Sequence, residues 1–220
     1  MNNTQEIAQW IVDNCICIDT ETTGLGENDV VVEIAAIQIG TGRVLVDTVV
    51  KPIWLTDPKA EETHGITWEE QEGGQDFKKV LDQLHGKSKF GPDVFTAFNL
   101  QFDERLIRQT MFRLGEPFPP LNEYATKVRA MYAEKDTESK KPEKLRVTEV
   151  PETICIMELA NRHFAKDHAE WDNENSRFRR LSLAKCCEIA GVEFTGTAHR
   201  ALADARAAAD LVIAIAEGRC

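Results

Sequence analysis

The sequence predicts a single α/β domain, and three observations support this fold class. The chain has 220 residues, which is enough to bury one sizeable core. Hydrophobic residues make up 42% of it and charged residues 29%, values typical of globular proteins. Short β-rich runs alternate with segments of helical periodicity along most of the chain. No internal repeat or linker divides residues 1–220, so we expect one domain.

The first part of the chain predicts one helix followed by three strands. Residues 4–13 have the apolar spacing of an amphipathic helix, with Thr4 as the N-cap. Residues 15–20 form a compact apolar strand that ends in polar residues. Residues 30–39 and 43–50 are β-rich, and the Gly-Thr-Gly between them predicts a hairpin.

The rest of the chain is predicted to be mostly helical. Thr67-x-x-Glu70 is a capping-box pattern that opens a helix. Residues 134–149 are dense in charge and poor in apolar residues, so we expect a solvated, mobile insertion there. The other predicted segments are a helix at 75–84, a strand at 94–98, a helix at 102–114, a strand at 153–157 leading into a helix that ends near Phe164, a polar loop at 166–180, and helices at 181–190 and 201–216.

Composition narrows the class of protein. The net charge of −11 argues against a broad basic nucleic-acid-binding face, because phosphate contacts need Lys and Arg. It does not exclude a nuclease, whose carboxylates are neutralised by bound cations. The six cysteines have no C-x-x-C spacing and are expected to be reduced core residues. The sequence lacks a signal-peptide pattern and any apolar stretch of about 20 residues, so we expect a cytoplasmic protein without membrane association.

Two acids, Asp19 and Glu21, stand two residues apart where the first predicted strand ends. Alternate residues of a strand point to the same face, so these carboxylates lie side by side. Adjacent carboxylates repel each other unless a positive group lies between them. A solvated strand end would also accommodate them, but the buried strand before them and the Thr- and Gly-rich turn after them favour a site.

Two further acids interrupt apolar helical stripes. Asp103 shares a stripe with Leu106 and Ile107, and Asp204 shares one with Leu211. An unpaired carboxylate on an inward face is costly, although an Asp in a first helical turn also favours the helix dipole. Oxygen ligands of this kind suit Mg²⁺ or Mn²⁺. Two such ions about 4 Å apart can bind the attacking and leaving oxygens of a phosphodiester displacement.

His199 lies five residues before Asp204, on the turn that opens the last predicted helix. A neutral imidazole there could take a proton from an attacking water near neutral pH. A single histidine more often has a surface or packing role, and we assign that role to His85, His163 and His168.

These motifs together resemble the DEDDh exonucleases, the family of the bacterial polymerase III proofreading subunit and ribonuclease T. DTETTG at residues 19–24 is similar to the first signature, and N-x-x-F-D at residues 99–103 to the second. The H-x-x-x-x-D spacing of His199 and Asp204 is similar to the third and selects the histidine branch. Residues 31–40 and 63–67 also resemble family segments.

The resemblance implies roles for individual residues. Asp19, Glu21, Asp103 and Asp204 would hold two Mg²⁺ or Mn²⁺ ions, and His199 would be the general base. For His64 and Phe102, local packing is an equally good explanation. Glu33 is interpreted as structural, because no spacing argument directs it to the metals. The residues that fall at or beside the family's terminal-nucleotide site are Thr22, Thr23, Leu25, His64, Asn99 and Phe102.

The implied fold is a ribonuclease H-like mixed sheet of about five strands flanked by helices, with the 43–50 strand at one edge. The implied activity is 3′→5′ exonucleolytic release of nucleoside 5′-monophosphates from DNA or RNA with a free 3′ end. Two alternatives stay open: a metal-dependent endonuclease or phosphodiesterase on the same fold, and a nucleic-acid-binding module without catalysis. A homodimer and a polymerase partner are also left open.

Overall fold

The computed structural model describes residues 3–84, 94–116, 121–122 and 154–220. The charged insertion expected at residues 134–149 lies outside these ranges. None of the described helices is both long and apolar enough to cross a membrane.

A mixed sheet forms the centre of the domain. Its strands are β1 (Cys15–Thr22), β2 (Val31–Gln38), β3 (Arg43–Val49) and β4 (Val94–Thr96), in the spatial order β3-β2-β1-β4. β1, β2 and β3 pair antiparallel, whereas β4 pairs parallel to β1. Within the described residues this sheet has four strands, one fewer than expected, and β3 lies at its edge as predicted.

The predicted β2–β3 hairpin is confirmed. A 3₁₀ turn at Ile39–Thr41 follows β2, and Gly42 takes the left-handed conformation with a φ of 67°. Glycine adopts this conformation without the Cβ penalty of other residues. The chain can therefore reverse within four residues and return antiparallel to β2.

Eight helices surround the sheet within the described residues. Three have capping contacts given by their sequence: the Thr67–Glu70 capping box is complete, the Asp57 side chain accepts from the Lys59 N–H, and the Ser182 hydroxyl accepts from the Lys185 N–H. The helices are α1 (Asn3–Asn14), α2 (Pro58–His64), α3 (Trp68–Glu72), α4 (Phe77–Leu84), α5 (Leu100–Arg113), α6 (Ile156–His168), α7 (Leu183–Ala190) and α8 (Ala201–Ala216).

Two local predictions, the Thr4 N-cap and the strand at residues 153–157, were wrong. Thr4 is not an N-cap, because α1 already includes Asn3. The strand expected at 153–157 is replaced by the start of α6 at Ile156, because the apolar residues that follow are buried at helical spacing: Ile156, Leu159, Ala160 and Phe164. The segment still contacts the sheet, since the Ile156 and Met157 N–H groups donate to the Ala97 and Phe98 carbonyls.

The loop expected at residues 166–180 is largely ordered structure. α6 continues through His168, and β5 (Trp171–Asp172) then pairs antiparallel with β6 (Arg177–Phe178). The Asp172 carboxylate accepts from two backbone N–H groups in the turn, and the Trp171 and Phe178 rings pack edge to face. A polar turn closed by an aspartate explains why this segment has a loop-like composition.

Two hydrophobic cores cover the two faces of the sheet. One contains Cys17 and Ala35 with residues of α1, α6, α7 and α8. The other contains Ile18 and Ile34 with residues of α4 and α5. Because side chains alternate along a strand, the odd-numbered residues of β1 face α8. The six cysteines are free thiols, of which only Cys220 is exposed.

Candidate active site

Three carboxylates converge between the end of β1 and the start of α8. Asp19 and Glu21 are on the same face of β1 as the buried Cys15 and Cys17, and this face packs against α8. Asp204 lies in the first turn of α8. One carboxylate oxygen from each of Asp19, Glu21 and Asp204 lies within 4.8 Å of the others, close enough to hold a metal ion.

Asp103 enters from the first turn of α5 on the other side of the sheet. It is only 3% exposed, and the Thr20 hydroxyl donates a hydrogen bond to its Oδ1 at 2.9 Å. Burial raises the pKa of Asp103 to about 7, while the Thr20 hydrogen bond opposes the shift. Its negative charge also raises the pKa of Asp19. The Thr20 contact thus places Asp103 beside the residue that follows Asp19 in β1, although Asp103 is not one of the three acids whose oxygens lie within 4.8 Å of one another.

The pKa values of all four carboxylates are raised when no cation is present. Burial is the main cause that raises the pKa of Asp19 well above its usual value, and the charges of Asp103, Asp204 and Glu21 add to it. Burial and the charge of Asp204 raise the pKa of Glu21 to about 8. Burial also raises the pKa of Asp204. In the described part of the chain, no Lys or Arg forms a salt bridge with any of the four.

The donor set fits divalent cations. It consists of carboxylate oxygens alone, Asp103 is buried and the other three acids are half-buried, and within the described residues no Lys or Arg pairs with them. Hard ions such as Mg²⁺ and Mn²⁺ prefer oxygen ligands, and a bound ion removes the repulsion that raises these pKa values.

His199 lies at the same end of α8, in the turn just before the helix. Its side chain is exposed, and its backbone is in the left-handed region with a φ of 62°. The charge and the backbone of His199 oppose the rise that burial causes in the pKa of Asp204. The turn thus holds the imidazole beside the acidic group while leaving it accessible to water.

The buried Glu33 and the partly exposed Arg200 form an ion pair next to this turn. The Arg200 Nη2 lies 2.6 Å from the Glu33 Oε1, and its Nε lies 3.1 and 3.2 Å from the two carboxylate oxygens. The Glu33 Oε2 also accepts from the Ala201 N–H at 2.8 Å. Glu33 therefore caps α8 and ties its first residue to β2. This agrees with the structural role expected for Glu33.

The Leu25 loop, residues 22–30, follows β1 and is held by its own side chains. The Asp29 carboxylate accepts from the Thr23 hydroxyl at 2.8 Å and from the Gly26 N–H at 2.6 Å. Added side-chain atoms at Gly24 would meet this carboxylate at 2.7 Å. The loop is thus a tight, cross-bonded turn that presents Leu25 to solvent, where its side chain is 78% exposed.

The other predicted substrate-binding residues surround this loop. Thr22 and Thr23 are buried, and the Thr23 N–H and carbonyl are bonded to the Val30 carbonyl and the Asp57 N–H. His64 is 5% exposed and its Nδ1 accepts from the Ile66 N–H; burial lowers its pKa, and a backbone hydrogen bond with Thr22 opposes this. Asn99 precedes α5, and Phe102 is half-buried beneath the Arg105 guanidinium.

Sequence reasoning missed the residues that position the acids. Thr20 orients Asp103, Asp29 closes the Leu25 loop, and Arg200 neutralises Glu33. Two of these contacts join residues 83 and 167 positions apart, so no local pattern predicts them. For Glu33 the sequence did contain a signal, because it is the one acid in the otherwise apolar run that forms most of β2.

Comparison with known proteins identifies the family. The family model RNase_T, described as Exonuclease, matches residues 16–212. The chain is 30% identical over 220 residues to the uncharacterized exonuclease CP81 of Escherichia phage 186, covering 98% of this chain and 94% of the phage protein.

Solved structures share the fold. Exonuclease X, in complex with 5′-overhanging duplex DNA, is 22% identical with a TM-score of 0.57, covering 93% of this chain and 92% of that one. The nuclease domain of 3′hExo, a DEDDh family member bound to rAMP, is 15% identical with a TM-score of 0.60 and the same coverage. The described fold is accordingly ribonuclease H-like. The chain belongs to the RNase_T family of exonucleases.

Proposed function

We propose that this nuclease removes nucleotides one at a time from the 3′ end of nucleic acid, with two divalent cations held by Asp19, Glu21, Asp103 and Asp204. The observation that carries the proposal is the convergence of Asp19, Glu21 and Asp204, with Asp103 hydrogen-bonded to Thr20 beside them, and with no salt bridge to a Lys or Arg in the described part of the chain. Such a group is electrostatically unfavourable unless a cation is bound, which is the arrangement expected of a metal site.

Each residue has a defined task in this proposal. Bound divalent cations supply the positive charge that stabilises the attacking and leaving oxygens of the displacement. An imidazole nitrogen of His199 accepts the proton of the attacking water. The water oxygen bonds to phosphorus, the bond to the 3′ oxygen of the preceding nucleotide breaks, and the terminal nucleotide leaves as a 5′-monophosphate. Thr20 keeps Asp103 oriented through its hydrogen bond.

Structural neighbours support the nucleic-acid substrate, whereas the Leu25 loop supports a preference for the 3′ end. Exonuclease X was solved with 5′-overhanging duplex DNA, and the 3′hExo domain with rAMP. In this proposal Leu25, an exposed apolar side chain on the loop that follows β1, acts as a wedge against the terminal base. Preference for an end would follow if the loop blocks continuous passage of a strand.

Product analysis tests the proposal directly. The protein would be incubated with 5′-labelled single-stranded DNA, RNA and mismatched duplex, in Mg²⁺ and in EDTA. We expect a ladder that shortens from the 3′ end, release of nucleoside 5′-monophosphates, and no reaction in EDTA. An Asp204→Asn variant purified in parallel controls for contaminating nucleases.

A circular single strand separates the alternatives. An exonuclease leaves it intact, whereas an endonuclease on the same fold linearises it. Release of 5′-terminal nucleotides, cleavage of the circle, or cleavage of no substrate in Mg²⁺ or Mn²⁺ would each contradict the proposal.

A further inference from the structure

A row of aromatic and arginine side chains runs along one side of α5, away from the acidic cluster. The Arg105 guanidinium lies 5.3 Å from the centre of the Phe102 ring, and the Arg113 guanidinium lies 4.8 Å from that of Trp54. Phe102, Arg105, Gln109 and Arg113 follow one another at intervals of three or four residues and therefore share one side of the helix.

The Leu25 loop is attached to this side of α5. Arg105 donates to the Leu25 and Gly26 carbonyls, both at 3.2 Å, and Gln109 donates to the Gly26 carbonyl at 3.2 Å and the Asp29 carbonyl at 2.9 Å. Arg113 donates to the Asn28 side chain at 2.6 Å. The loop and the helix thus form one continuous surface that starts at the acidic cluster.

The segment that carries Trp54 joins the same surface. The Asp57 N–H donates to the Thr23 carbonyl at 2.8 Å, which fixes the end of this segment to the Leu25 loop. Three apolar side chains here are exposed: Leu25 by 78%, Trp54 by 51% and Leu55 by 74%. Exposed apolar groups that polar contacts hold in place are typical of a binding surface.

The chemistry of this surface fits a single strand of nucleic acid. Aromatic faces stack on bases of any sequence, and arginine pairs with phosphates. Arg113 covers part of the Trp54 ring and orients it, while half of the side chain stays accessible. In a chain with a net charge of −11, two arginines interleaved with aromatic rings beside the acidic cluster match the charge of a polyanion.

We propose that Trp54 and Arg113 bind the strand upstream of the scissile phosphodiester, Trp54 by stacking on a base and Arg113 by contacting a phosphate. The inference rests on the proposed exonuclease function. Arg113 follows Asp103 by ten residues of α5, or about 15 Å of helix. At ~3.4 Å per stacked nucleotide, the subsite lies about four nucleotides from the reacting bond.

Substrate length separates this subsite from the reaction centre. KM and kcat would be measured for the wild type, Trp54→Ala and Trp54→Phe on a dinucleotide and on a twelve-residue oligothymidylate. The dinucleotide spans one phosphodiester and cannot reach Trp54. We expect Trp54→Ala to raise KM on the twelve-mer by about 5- to 150-fold, as loss of one base–aromatic stack implies. Its kcat and its kinetics on the dinucleotide should stay unchanged, and Trp54→Phe should retain most of the affinity.

A matched control comes from Trp171, which is also 51% exposed but lies on the β5–β6 hairpin. Trp171→Ala should leave KM for the twelve-mer unchanged. For Arg113→Gln, the slope of log KM against log salt on the twelve-mer should fall by about 0.7, the value for one phosphate contact on a single strand.

The outcomes distinguish this inference from the proposed function. If the wild type does not shorten the twelve-mer, the exonuclease function itself is wrong. If the wild type shortens the twelve-mer but Trp54→Ala leaves KM unchanged, the proposed subsite is wrong. It is also wrong if Trp54→Ala raises KM by the same factor on the dinucleotide as on the twelve-mer. Equal losses in Trp54→Ala and Trp171→Ala would also overturn it.

Discussion

Glu21 and Glu33 face each other across the β1–β2 ladder, yet their electrostatic surroundings are opposite. Glu33 is almost fully buried and receives a two-point ion pair from Arg200 together with a backbone N–H. Glu21 has acidic neighbours instead, and burial with the charge of Asp204 raises its pKa to about 8. Two identical side chains in register thus differ in whether the protein supplies the balancing charge.

The difference separates a structural acid from a candidate ligand. A buried carboxylate with its own arginine is already neutralised and can hold two elements together. Carboxylates that repel one another and have no such partner store an unfavourable interaction that a bound cation would relieve. We therefore expect that removing the charge of Glu21 on β1 and removing that of Glu33 on β2 have opposite effects on stability.

The largest expected effect is on catalysis when an acid of the cluster is removed. Asp19→Ala, Glu21→Ala, Asp103→Ala and Asp204→Ala should each lower turnover by at least about 10³-fold, because charge stabilisation by a metal contributes several kcal/mol. Steady-state release of nucleotides measures this, and circular dichroism checks the fold. Asp210→Ala, on the exposed side of α8, is the control. Normal activity in any one cluster variant removes that residue from the proposed ligand set.

The next effect concerns His199. His199→Ala should lower kcat by about 10²- to 10⁴-fold, the usual range for the loss of a general base, with little change in metal or substrate binding. Turnover at neutral pH measures the loss of kcat, and Mg²⁺ titration by calorimetry measures metal binding. His168→Ala, an exposed histidine on α6, should behave like the wild type. Wild-type turnover in His199→Ala would refute the assignment.

Divalent cations should stabilise the folded chain. Ions that bind only the native site add RT ln(1 + [L]/Kd), about 2.7 kcal/mol at 100 times Kd. For a chain of this size we expect a rise in Tm of about 5–10 °C in thermal unfolding. The shift should shrink in Asp204→Asn and be absent with NaCl at matched ionic strength. A Tm that does not change with millimolar Mg²⁺ or Mn²⁺ would argue against a cation site in this cluster.

Replacing Glu33 and Glu21 by glutamine should change the stability of the metal-free protein in opposite directions. Glu33→Gln should lower the free energy of unfolding by about 1–3 kcal/mol, because Arg200 loses its partner and α8 its charged cap. Glu21→Gln should raise the metal-free Tm slightly, because a neutral amide avoids the cost of burying an acid among other carboxylates. Urea unfolding in EDTA measures both. Changes of the same sign would show that the two glutamates do not differ as described.

The smallest effect expected is a pH trend in the metal-free protein. The raised pKa values mean that the folded state binds more protons than the unfolded state between about pH 4 and pH 8. The contribution of these acids is therefore fully present below the unfolded pKa and is lost as pH rises through the folded values. Unfolding in EDTA should show declining stability across this window, and the decline should weaken in Mg²⁺. A metal-free protein that gains stability through this range would contradict the shifts.

Local pattern predicted most of the fold. β1, β2 and β3 have apolar runs bounded by turn residues, and the apolar stripe of α8 predicted residues 201–216 without error. The acids were identifiable because Asp103 and Asp204 interrupt such stripes, and the structure brings both to the end of β1. By contrast, α2 carries no apolar periodicity, and the β5–β6 hairpin has a loop-like composition.

What the sequence did not predict depends on distant partners. Arg200 and Glu33 are 167 positions apart, and no residue near either of them in the sequence predicts that they pair. The Thr20–Asp103 hydrogen bond and the contacts from α5 to the Leu25 loop are of the same kind. Periodicity shows that a side chain faces inward, but the residue it meets there depends on how the elements pack.

The order in which the acids occur along the chain has a consequence for biosynthesis. Asp19 and Glu21 are made early, Asp103 follows near the middle, and His199 and Asp204 come last on α8. Contacts between residues so far apart in sequence form late, because the intervening chain must be ordered first. A nascent polypeptide that ends before α8 lacks the helix that covers β1 and β2, and with it Asp204. On the proposed ligand set, the site can therefore assemble only after translation has passed residue 204, so unfinished chains would lack the proposed nuclease centre.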